Sequence, residues 1–152
     1  MTDISIRPVT ADDYAAWLPL WLGYNAFYGR SGPTALPDPV TQKSWARFVD
    51  SKEPVYALVA VQNGEVVGLA HYLFHLSTSA IEPSCYLQDL FTLPERRGQG
   101  IARRLIEAVS EAARAAGTHR LYWHTHESNR TAQKLYDKVA QKSGFIVYRK
   151  TL

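Results

Sequence analysis

A strand, a basic glycine-bearing turn and a long amphipathic helix follow one another without interruption over residues 86–116. Residues 86–91 are a short run rich in apolar and aromatic side chains, which is typical of a largely buried strand. From Ile101 onwards apolar residues recur every three or four positions, which predicts a helix with one buried stripe, and Gly117 occupies the position of a C-terminal cap. The turn at residues 97–100 is therefore expected at a helix N-terminus.

A helix N-terminus of this composition favours an anionic ligand. The first-turn N–H groups of a helix lack internal partners, and the helix dipole adds partial positive charge there. Glycines at positions 98 and 100 would let a phosphate approach the backbone closely. Four arginines add formal charge around the turn: Arg96, Arg97, Arg103 and Arg104. We expect a phosphate or pyrophosphate ligand, with a tight turn and solvated arginines as the alternative. The P-loop motif and the six-residue dinucleotide fingerprint do not match.

The composition fits a single domain over residues 1–152. Of these 152 residues 46% are hydrophobic, which is enough for one substantial core and not for two. The net charge of +3 comes from interspersed acids and bases, which suits an anionic ligand better than a nucleic acid. Cys85 is the single cysteine, so no intramolecular disulfide can form, and the cytoplasm is the expected location. The first four residues show no signal peptide, and no apolar run is long enough for a membrane span.

The first third of the chain predicts a strand followed by aromatic helices. A short alternating strand begins at Ile4, and a helix is expected from Ala11, with a kink or a break into two helices at Pro19. Four aromatic residues share one face of this helical region by spacing: Trp17, Trp21, Tyr24 and Tyr28. They form either a core stripe or a wall of an acceptor pocket, where aromatic faces could hold an amine.

A hairpin is the most specific prediction for the middle of the chain. Residues 30–40 read as an ordered but mobile loop, and residues 41–50 as a short helix. Strands over residues 55–62 and 65–74 flank Asn63-Gly64, which is the strongest short-range signal for a hairpin turn. His71 and His75 fall in or just after the second of these strands, where hydrogen-bonded structural or surface roles are favoured over catalytic ones.

The last third of the chain predicts a crossover and a final helix–strand pair. Residues 119–125 form a strand that should lie parallel to residues 86–91, because a helix connects the two. Ser128 or Asn129 caps a helix with an apolar face. That face contains Ala132, Leu135, Tyr136 and Val139. A final strand is expected over residues 145–150.

The turn resembles the Arg/Gln-x-x-Gly-x-Gly/Ala signature of the GCN5-related N-acetyltransferases. Its residues are Arg97, Gly98, Gln99, Gly100, Ile101 and Ala102. In that family the backbone amides of this loop hold the pyrophosphate of acetyl-coenzyme A. The resemblance implies an α/β fold with a mixed, mostly antiparallel sheet of six or seven strands, a splayed parallel pair and about four flanking helices. It also implies that the coenzyme lies in the splayed cleft, that Asn129 contacts it and that Tyr136 lies by its sulfur. Gly144-Phe145 comes later than in relatives, so the last one or two strands are left open.

Acetyl transfer to an amine sets further requirements on residues 86–92. An alkylammonium has a pKa of about 10.4, so holding the free amine at pH 7 costs roughly 4–5 kcal/mol and calls for a base. Asp89 is the candidate, because a carboxylate between Leu87 and Leu90 is costly unless it is paired or used; a purely structural carboxylate is the alternative. Related diamine acetyltransferases carry a Glu-Asp pair here, and this chain has Gln88 at the glutamate position.

Two other groups complete the predicted chemistry. The resemblance implies that the backbone of Leu90, Phe91 and Thr92 offers an N–H group to the carbonyl oxygen of the acetyl group. Tyr136 is the candidate acid for the departing thiolate, with a core aromatic as its alternative role. Cys85 has no visible base, and direct transfer needs no covalent acetyl carrier.

The sequence therefore predicts an N-acetyltransferase that moves acetyl from acetyl-coenzyme A to a primary amine by direct attack, without a metal. The acceptor is a small-molecule amine or a lysine-bearing peptide, with Trp21, Tyr24, Tyr28 and Gln88 expected to line its pocket. A non-catalytic acetyl-coenzyme A-binding regulatory module is the alternative, and a phosphate or RNA binder is a weaker one. No nucleic-acid or membrane partner is expected. Relatives are often dimers, although this sequence identifies no interface.

Overall fold

The computed structural model describes residues 3–152, so Met1 and Thr2, which include half of the segment inspected for a signal peptide, lie outside it. Within the described residues the sheet has five strands, in the same order in space as in sequence. They are β1 (Ile4–Pro8), β2 (Val55–Gln62), β3 (Glu65–His75), β4 (Ser84–Thr92) and β5 (Leu121–Tyr122). Strands β1 to β4 pair antiparallel and β4 pairs parallel with β5. The predicted mixed, mostly antiparallel sheet is confirmed.

Four α-helices flank this sheet in the part of the chain described. They are α1 (Tyr14–Phe27), α2 (Asp38–Phe48), α3 (Ile101–Ala115) and α4 (Arg130–Val139), and short 3-10 helices occur at Ala11–Asp13, Gly32–Thr34 and Pro94–Arg96. Helices α1 and α2 pack on one face, around the fully buried Trp17 and Leu69. Helices α3 and α4 pack on the other, around Leu105 and Val67. No helix among residues 3–152 has the length and apolarity needed to cross a bilayer.

The turn between β2 and β3 confirms the hairpin prediction. Asn63 has φ 53° and Gly64 has φ 75°, the positive values that a two-residue hairpin turn of type I′ requires at both positions. In β3, which follows this turn, Gly68 lets the start of α3 approach the sheet. A Cβ at this position would lie 3.0 Å from Ile101 Cγ2 and 3.1 Å from Leu105 Cδ1. The hairpin therefore helps to place the N-terminus of α3.

Helix α1 differs from its prediction. Of the two alternatives predicted at Pro19, a kink or a break into two helices, the break does not occur, since one helix runs from Tyr14 to Phe27 with the proline inside it. Pro19 is the sixth residue of α1, so the helix lacks the hydrogen bond that its N–H would donate to the carbonyl of Ala15. The burial of Trp17 and Trp21, whose rings stack with centroids 5.6 Å apart, holds both halves of the helix on the same core.

The number of strands is also lower than the six or seven predicted. The predicted strand over residues 119–125 is reduced to the two residues of β5, and residues 145–150 are not a strand. All residues from 140 to 152 are exposed and pair with no strand of the described chain. An isolated strand is not stable without a neighbouring edge to supply its hydrogen bonds. The prediction of a final strand over residues 145–150 is therefore wrong for this structure, because these residues have no strand to pair with.

Candidate active site

The turn before α3 has the geometry of an anion-binding loop. Gly98 and Gly100 both have φ 81°, a conformation that L side chains rarely adopt, and nothing lies within 4 Å of a Cβ built at either position. Gly100 is the N-cap of α3, and no side chain caps this end of the helix. The first-turn N–H groups are thus left for an external acceptor. At the other end Gly117 closes the helix: its N–H donates to the carbonyl of Arg114.

The arginines around this turn are divided between structural and open positions. Arg97 is tied to β4, because its Nε donates to the carbonyl oxygen of Thr92 at 3.1 Å and its guanidinium lies 5.6 Å from the centre of the Phe91 ring. Arg96 donates to Gln62 Oε1 and to Glu65 Oε2, both at 2.6 Å. These contacts hold the turn against β2, β3 and β4. They also engage two of its guanidinium groups, which are then less available to an anion. The sequence had assigned all four arginines to the anion.

A cleft opens where β4 and β5 separate. The parallel pairing covers only Cys85 with Leu121 and Tyr86 with Tyr122, and beyond this point the strands diverge. Eight residues line the cleft: Tyr24, Tyr28, Leu87, Gln88, Leu90, Trp123, His124 and Tyr136. The predicted splayed pair is therefore present. Most of the predicted pocket residues line it, and sequence reasoning missed Trp123 and His124.

A bulge in β4 brings Gln88 into this cleft. His71 of β3 pairs with Asp89 and Tyr72 pairs with Leu87, so Gln88 is an extra residue without a partner across the ladder. The Tyr24 hydroxyl from α1 donates to the Gln88 carbonyl at 3.4 Å. The bulge thus interrupts the regular strand next to Asp89, the predicted base.

Asp89 is held by a buried chain of hydrogen bonds. The indole Nε1–H of Trp17 donates to His71 Nε2 at 3.0 Å, and His71 Nδ1 lies 2.9 Å from Asp89 Oδ2. Because Nε2 accepts, the imidazole proton must be on Nδ1, from which it is donated to the carboxylate. The His71 side chain is 3% exposed and that of Asp89 is 12% exposed. His71 therefore has the hydrogen-bonded role that its position in a strand favoured, and it orients the one carboxylate next to the cleft.

Two tyrosines in the cleft are kept in the phenol form. Burial, and secondly the charge of Asp89, raise the pKa of Tyr24 well above its usual value. Burial, with a smaller contribution from Tyr28, raises the pKa of Tyr136 to about 12. Both hydroxyls are therefore protonated at neutral pH and can donate hydrogen bonds. Burial also raises the pKa of the Cys85 thiol to about 11, which disfavours a thiolate nucleophile at this position.

Several predicted site residues have other contacts. Trp21 is 7% exposed and donates through Nε1 to Thr41 Oγ1, so it belongs to the core and not to the cleft lining. Ile101 is buried under β3. Asn129 caps α4, since its Oδ1 accepts from the N–H of Ala132 at 3.4 Å. Gln99 is tied to the sheet through its Oε1, which accepts from Gln62 Nε2 at 2.9 Å.

Arg30 is a further charged residue at this site that the sequence did not identify. Its guanidinium carbon lies 6.0 Å from the centre of the Tyr24 ring and 5.6 Å from that of Tyr28, and its Nε donates to Asn25 Oδ1 at 2.7 Å. The signal available in the sequence was a basic residue directly after the aromatic stripe. The cleft wall formed by the two tyrosines thus has a carboxylate, Asp89, and a guanidinium as neighbours.

The residues present fit a coenzyme A ligand. The left-handed glycines and the uncapped start of α3 suit its pyrophosphate, and the divergence of β4 and β5 provides a cleft beside them. Within residues 3–152 there is no group of three or more side chains suited to hold a metal ion.

Comparison with known proteins agrees with this geometry. The chain is 34% identical over 149 residues to a D-amino-acid N-acetyltransferase of Saccharomyces cerevisiae, covering 97% of this chain and 90% of the relative. It is 33% identical over 100 residues to an aminoalkylphosphonate N-acetyltransferase of Salmonella typhimurium, covering 64% of each. A solved structure of an aminoglycoside N-acetyltransferase in complex with CoA shares the fold, with a TM-score of 0.82 at 18% identity over 99% of this chain and 96% of that one.

The family assignment follows from a match over most of the chain. The model of the acetyltransferase (GNAT) family matches residues 17–140, which include most of α1, strands β2 to β5, the glycine turn and α4. Two solved structures that share this fold contain CoA or a CoA-linked bisubstrate analogue. The chain belongs to the GNAT family and is an acyl-coenzyme A N-acetyltransferase that acts on an amine.

Proposed function

We propose that this enzyme acetylates the primary amine of a small molecule that also carries an anionic group, as an amino acid does. The observation that carries this proposal is the pair of opposite charges beside Tyr24. The guanidinium carbon of Arg30 lies 6.0 Å from the centre of the Tyr24 ring. Burial first, and secondly the charge of Asp89, raise the pKa of this phenol, so the carboxylate lies near the same ring. An acceptor with an amine and an acidic group has the complementary pair of charges, with its ammonium attracted to Asp89 and its acidic group to Arg30. The two relatives named for D-amino acids and for aminoalkylphosphonates support this class of acceptor.

For the coenzyme, we assign the pyrophosphate to the backbone amides of residues 97–102. Gly98 and Gly100 permit the close approach, and the start of α3 contributes its dipole. Arg103 and Arg104 on the first turn of α3 add positive charge. We assign Asn129 to a contact with the coenzyme from the start of α4, where its side chain caps the first turn of that helix. The thioester end then lies in the cleft between β4 and Tyr136.

Asp89 is assigned to the acceptor amine. Its Oδ2 receives the hydrogen bond of His71, so the carboxylate remains an acceptor that can attract the ammonium and take its proton. Gln88, on the bulge, offers no second carboxylate, so Asp89 acts alone. This differs from the Glu-Asp pair of diamine acetyltransferases and agrees with an acceptor that has a single positive charge.

The remaining steps use the backbone of β4 and a tyrosine. An N–H group of residues 90–92 stabilises the negative charge that gathers on the carbonyl oxygen as the amine attacks. The C–N bond forms, the C–S bond breaks and the sulfur leaves as a thiolate. Tyr136 donates its phenol proton to that sulfur, and the proton that the acetylated nitrogen then releases restores the phenol. The proton of the original ammonium passes from Asp89 to solvent. The Tyr136 ring is held 5.4 Å from the centre of the Trp123 ring.

An acceptor panel tests the proposal. We expect acetylated product, identified by mass spectrometry, from amino acids and aminophosphonates, and less from their neutral amides, from polyamines and from lysine-bearing peptides. Arg30→Met should lower kcat/KM about 10- to 100-fold for the anionic acceptors, since one charge-assisted hydrogen bond contributes about 1.5–3 kcal/mol. For the neutral amides the change should stay within about threefold on the same scale.

Arg47→Met serves as the control, because Arg47 is exposed near the end of α2 and belongs to neither of the two proposed ligand sites. An equal loss on charged and neutral acceptors would contradict the role of Arg30. Tight coenzyme binding without product from any amine would point instead to the regulatory-module alternative.

We infer further that the protein works in the cytoplasm, because a lone buried cysteine suits a reducing compartment. A homodimer is proposed as its working assembly. A lysine-bearing peptide remains the second class of acceptor, and the same panel includes it.

A further inference from the structure

Gln62 is a buried side-chain amide that the proposed chemistry does not use. It is the last residue of β2 and is only 2% exposed. An amide is costly to bury unless its polar atoms are hydrogen-bonded. The Gln62 amide bonds to two residues that are distant in the sequence, Arg96 at 34 positions further on and Gln99 at 37. Both belong to the turn that connects β4 with α3.

The two contacts hold this turn on either side of Gly98. Arg96, the last residue of the short 3-10 helix, donates from Nη1 to Gln62 Oε1 at 2.6 Å. Gln62 Nε2 donates to Gln99 Oε1 at 2.9 Å, and Gln99 lies between the two left-handed glycines. A single side chain of the sheet therefore fixes both the entry to the glycine turn and its middle.

Arg96 determines the direction of this hydrogen-bond chain. A guanidinium group only donates hydrogen bonds, so the Gln62 atom that faces it must be the amide oxygen. The NH2 group of Gln62 then faces Gln99, whose amide is fixed with its oxygen towards the sheet. Arg96 is itself held by Glu65 Oε2 at 2.6 Å, and Glu65 is the partner of Gln62 across the hairpin. The chain of bonds thus runs from the β2–β3 hairpin into the turn.

The turn needs such support because its glycines do not hold one conformation by themselves. Gly98 and Gly100 both have φ 81°, and glycine adopts many other backbone conformations about as readily. Ordering these residues only when a ligand binds lowers its affinity, whereas ordering them beforehand raises it. Backbone N–H groups form an anion site when successive residues hold them in one concave arrangement. The bonds from Gln62 supply that order from outside the turn.

We propose that Gln62 is a positioning residue for the coenzyme, which holds the glycine turn in its anion-binding conformation before the coenzyme arrives. Gln62 is buried beneath the turn, so it acts through Arg96 and Gln99 and not by contact with the ligand. This role rests on the assignment of the pyrophosphate to the backbone amides of residues 97–102. It adds that a side chain of another strand sets the affinity for the pyrophosphate.

The test replaces the amide by an apolar side chain of similar length. Gln62→Met removes both bonds to the turn, and Gln99→Met removes one of them at an exposed position, where the core is not disturbed. Thr41→Val is the matched control, because Thr41 is also buried and polar and its Oγ1 accepts from Trp21 Nε1 at 3.1 Å between α1 and α2. Calorimetry measures the Kd of coenzyme A. Nuclear magnetic resonance titration measures that of pantetheine, the part of coenzyme A that lacks the pyrophosphate.

The expected losses are confined to the ligand with a pyrophosphate. Coenzyme A should bind about 3- to 10-fold more weakly to Gln99→Met, the range of one hydrogen bond, and about 10- to 50-fold more weakly to Gln62→Met, which loses two. The double variant should equal Gln62→Met alone, because the bond between the two residues is lost only once. Pantetheine should bind all variants within about twofold of wild type, and Thr41→Val should bind both ligands within the same limit.

Unchanged affinity for coenzyme A in Gln62→Met overturns the proposal, and so does an equal loss for pantetheine or in Thr41→Val, which would indicate general destabilisation. Losses that add in the double variant also overturn it, since Gln99 would then act independently of Gln62. Gly100→Trp separates this proposal from the proposed function. If Gly100→Trp abolishes binding and Gln62→Met does not weaken it, only the positioning role fails. If Gly100→Trp binds coenzyme A as wild type does, the assignment of the pyrophosphate fails, and the positioning role fails with it.

Discussion

Strand β4 has two neighbours, and it is joined to them in very different ways. Along β3 it is paired from Ser84 to Thr92, and we call this the sealed seam. Along β5 it is paired at Cys85 and Tyr86 only, and the remainder is the open seam. Asp89, the proposed base, is anchored in the sealed seam by His71. In the proposed mechanism the coenzyme and the amine enter through the open seam, so a single strand would separate the fixed base from the path of the ligands.

The largest effect is expected at the end of the open seam. Gly100→Trp should weaken coenzyme A binding by at least about 100-fold, because a side chain at the helix start displaces a pyrophosphate held by two or more charge-assisted hydrogen bonds of about 1.5–3 kcal/mol each. Isothermal titration calorimetry with coenzyme A measures this. Gly117→Trp is the matched control: Gly117 has φ 80° and open space around it, but it lies at the other end of α3. Equal losses in both variants would mean that backbone strain, and not occlusion, is responsible.

In the sealed seam, Asp89→Asn should lower kcat by about 100- to 1,000-fold, the usual contribution of a positioned proton acceptor. Coenzyme affinity should stay at the wild-type value, because Asp89 lies away from the glycine turn. Single-turnover kinetics combined with coenzyme titration separates the two effects. Wild-type turnover in this variant would leave Asp89 with a structural role only.

Two further variants of the sealed seam show whether orientation matters. His71→Phe keeps a ring in place and removes the donor to Asp89, so kcat should fall about tenfold. Trp17→Phe removes the other bond of the same histidine without touching Asp89, and kcat should stay within about threefold. Both should lower the free energy of unfolding, by about 1–3 kcal/mol, because each leaves a buried polar group unpaired. If Trp17→Phe slowed turnover as much, general destabilisation would explain the loss.

The sequence predicted the two seams unequally, and the reason is physical. Local signals are sufficient for the hairpin turn, the glycine turn, the C-terminal cap of α3 and the N-terminal cap of α4. Backbone conformation at each of these points depends on a few adjacent residues. The sealed seam's hydrogen-bond chain joins Trp17, His71 and Asp89 from three distant elements. Its existence depends on strand register, including the bulge at Gln88, which no local pattern specifies.

The resemblance predicted the open seam itself, but two elements near it differ from their predictions for another reason. Residues 145–150 have the residue pattern of a strand but form none here, because the partner that a strand requires is not determined by the residues of the strand itself. The aromatic stripe of α1 was likewise divided by tertiary packing. Trp21 entered the core, while Tyr24 and Tyr28, one and two turns further on, reached the cleft. Periodicity identifies the shared face but not the point at which it passes from core to pocket.

On the far side of the open seam, Tyr136→Phe should lower kcat about 10- to 100-fold with coenzyme affinity unchanged, as expected for loss of a general acid. Because the pKa of Tyr136 is raised to about 12, the phenol stays protonated over the working range. The wild-type rate should therefore rise with pH as the acceptor amine loses its proton, and should show no alkaline fall due to Tyr136 below pH 11. A pH–rate profile from pH 6 to 10.5 tests this, and an alkaline limb that disappears in Tyr136→Phe would contradict it.

The smallest effect concerns Cys85, where the two seams meet. Burial raises the pKa of this thiol from 9.0 to about 11, so between these values the unfolded chain has lost a proton that the folded chain retains. The free energy of unfolding should therefore fall as pH rises from 9 to 11, by up to about 2–3 kcal/mol from this group. In Cys85→Ala that contribution is absent, so the variant, less stable at pH 8 because of its cavity, should approach wild type at pH 11. Urea unfolding followed by tryptophan fluorescence under reducing conditions provides the comparison. Parallel curves for the two proteins would mean that water reaches Cys85 through the open seam, and that the pairing with Leu121 does not close it.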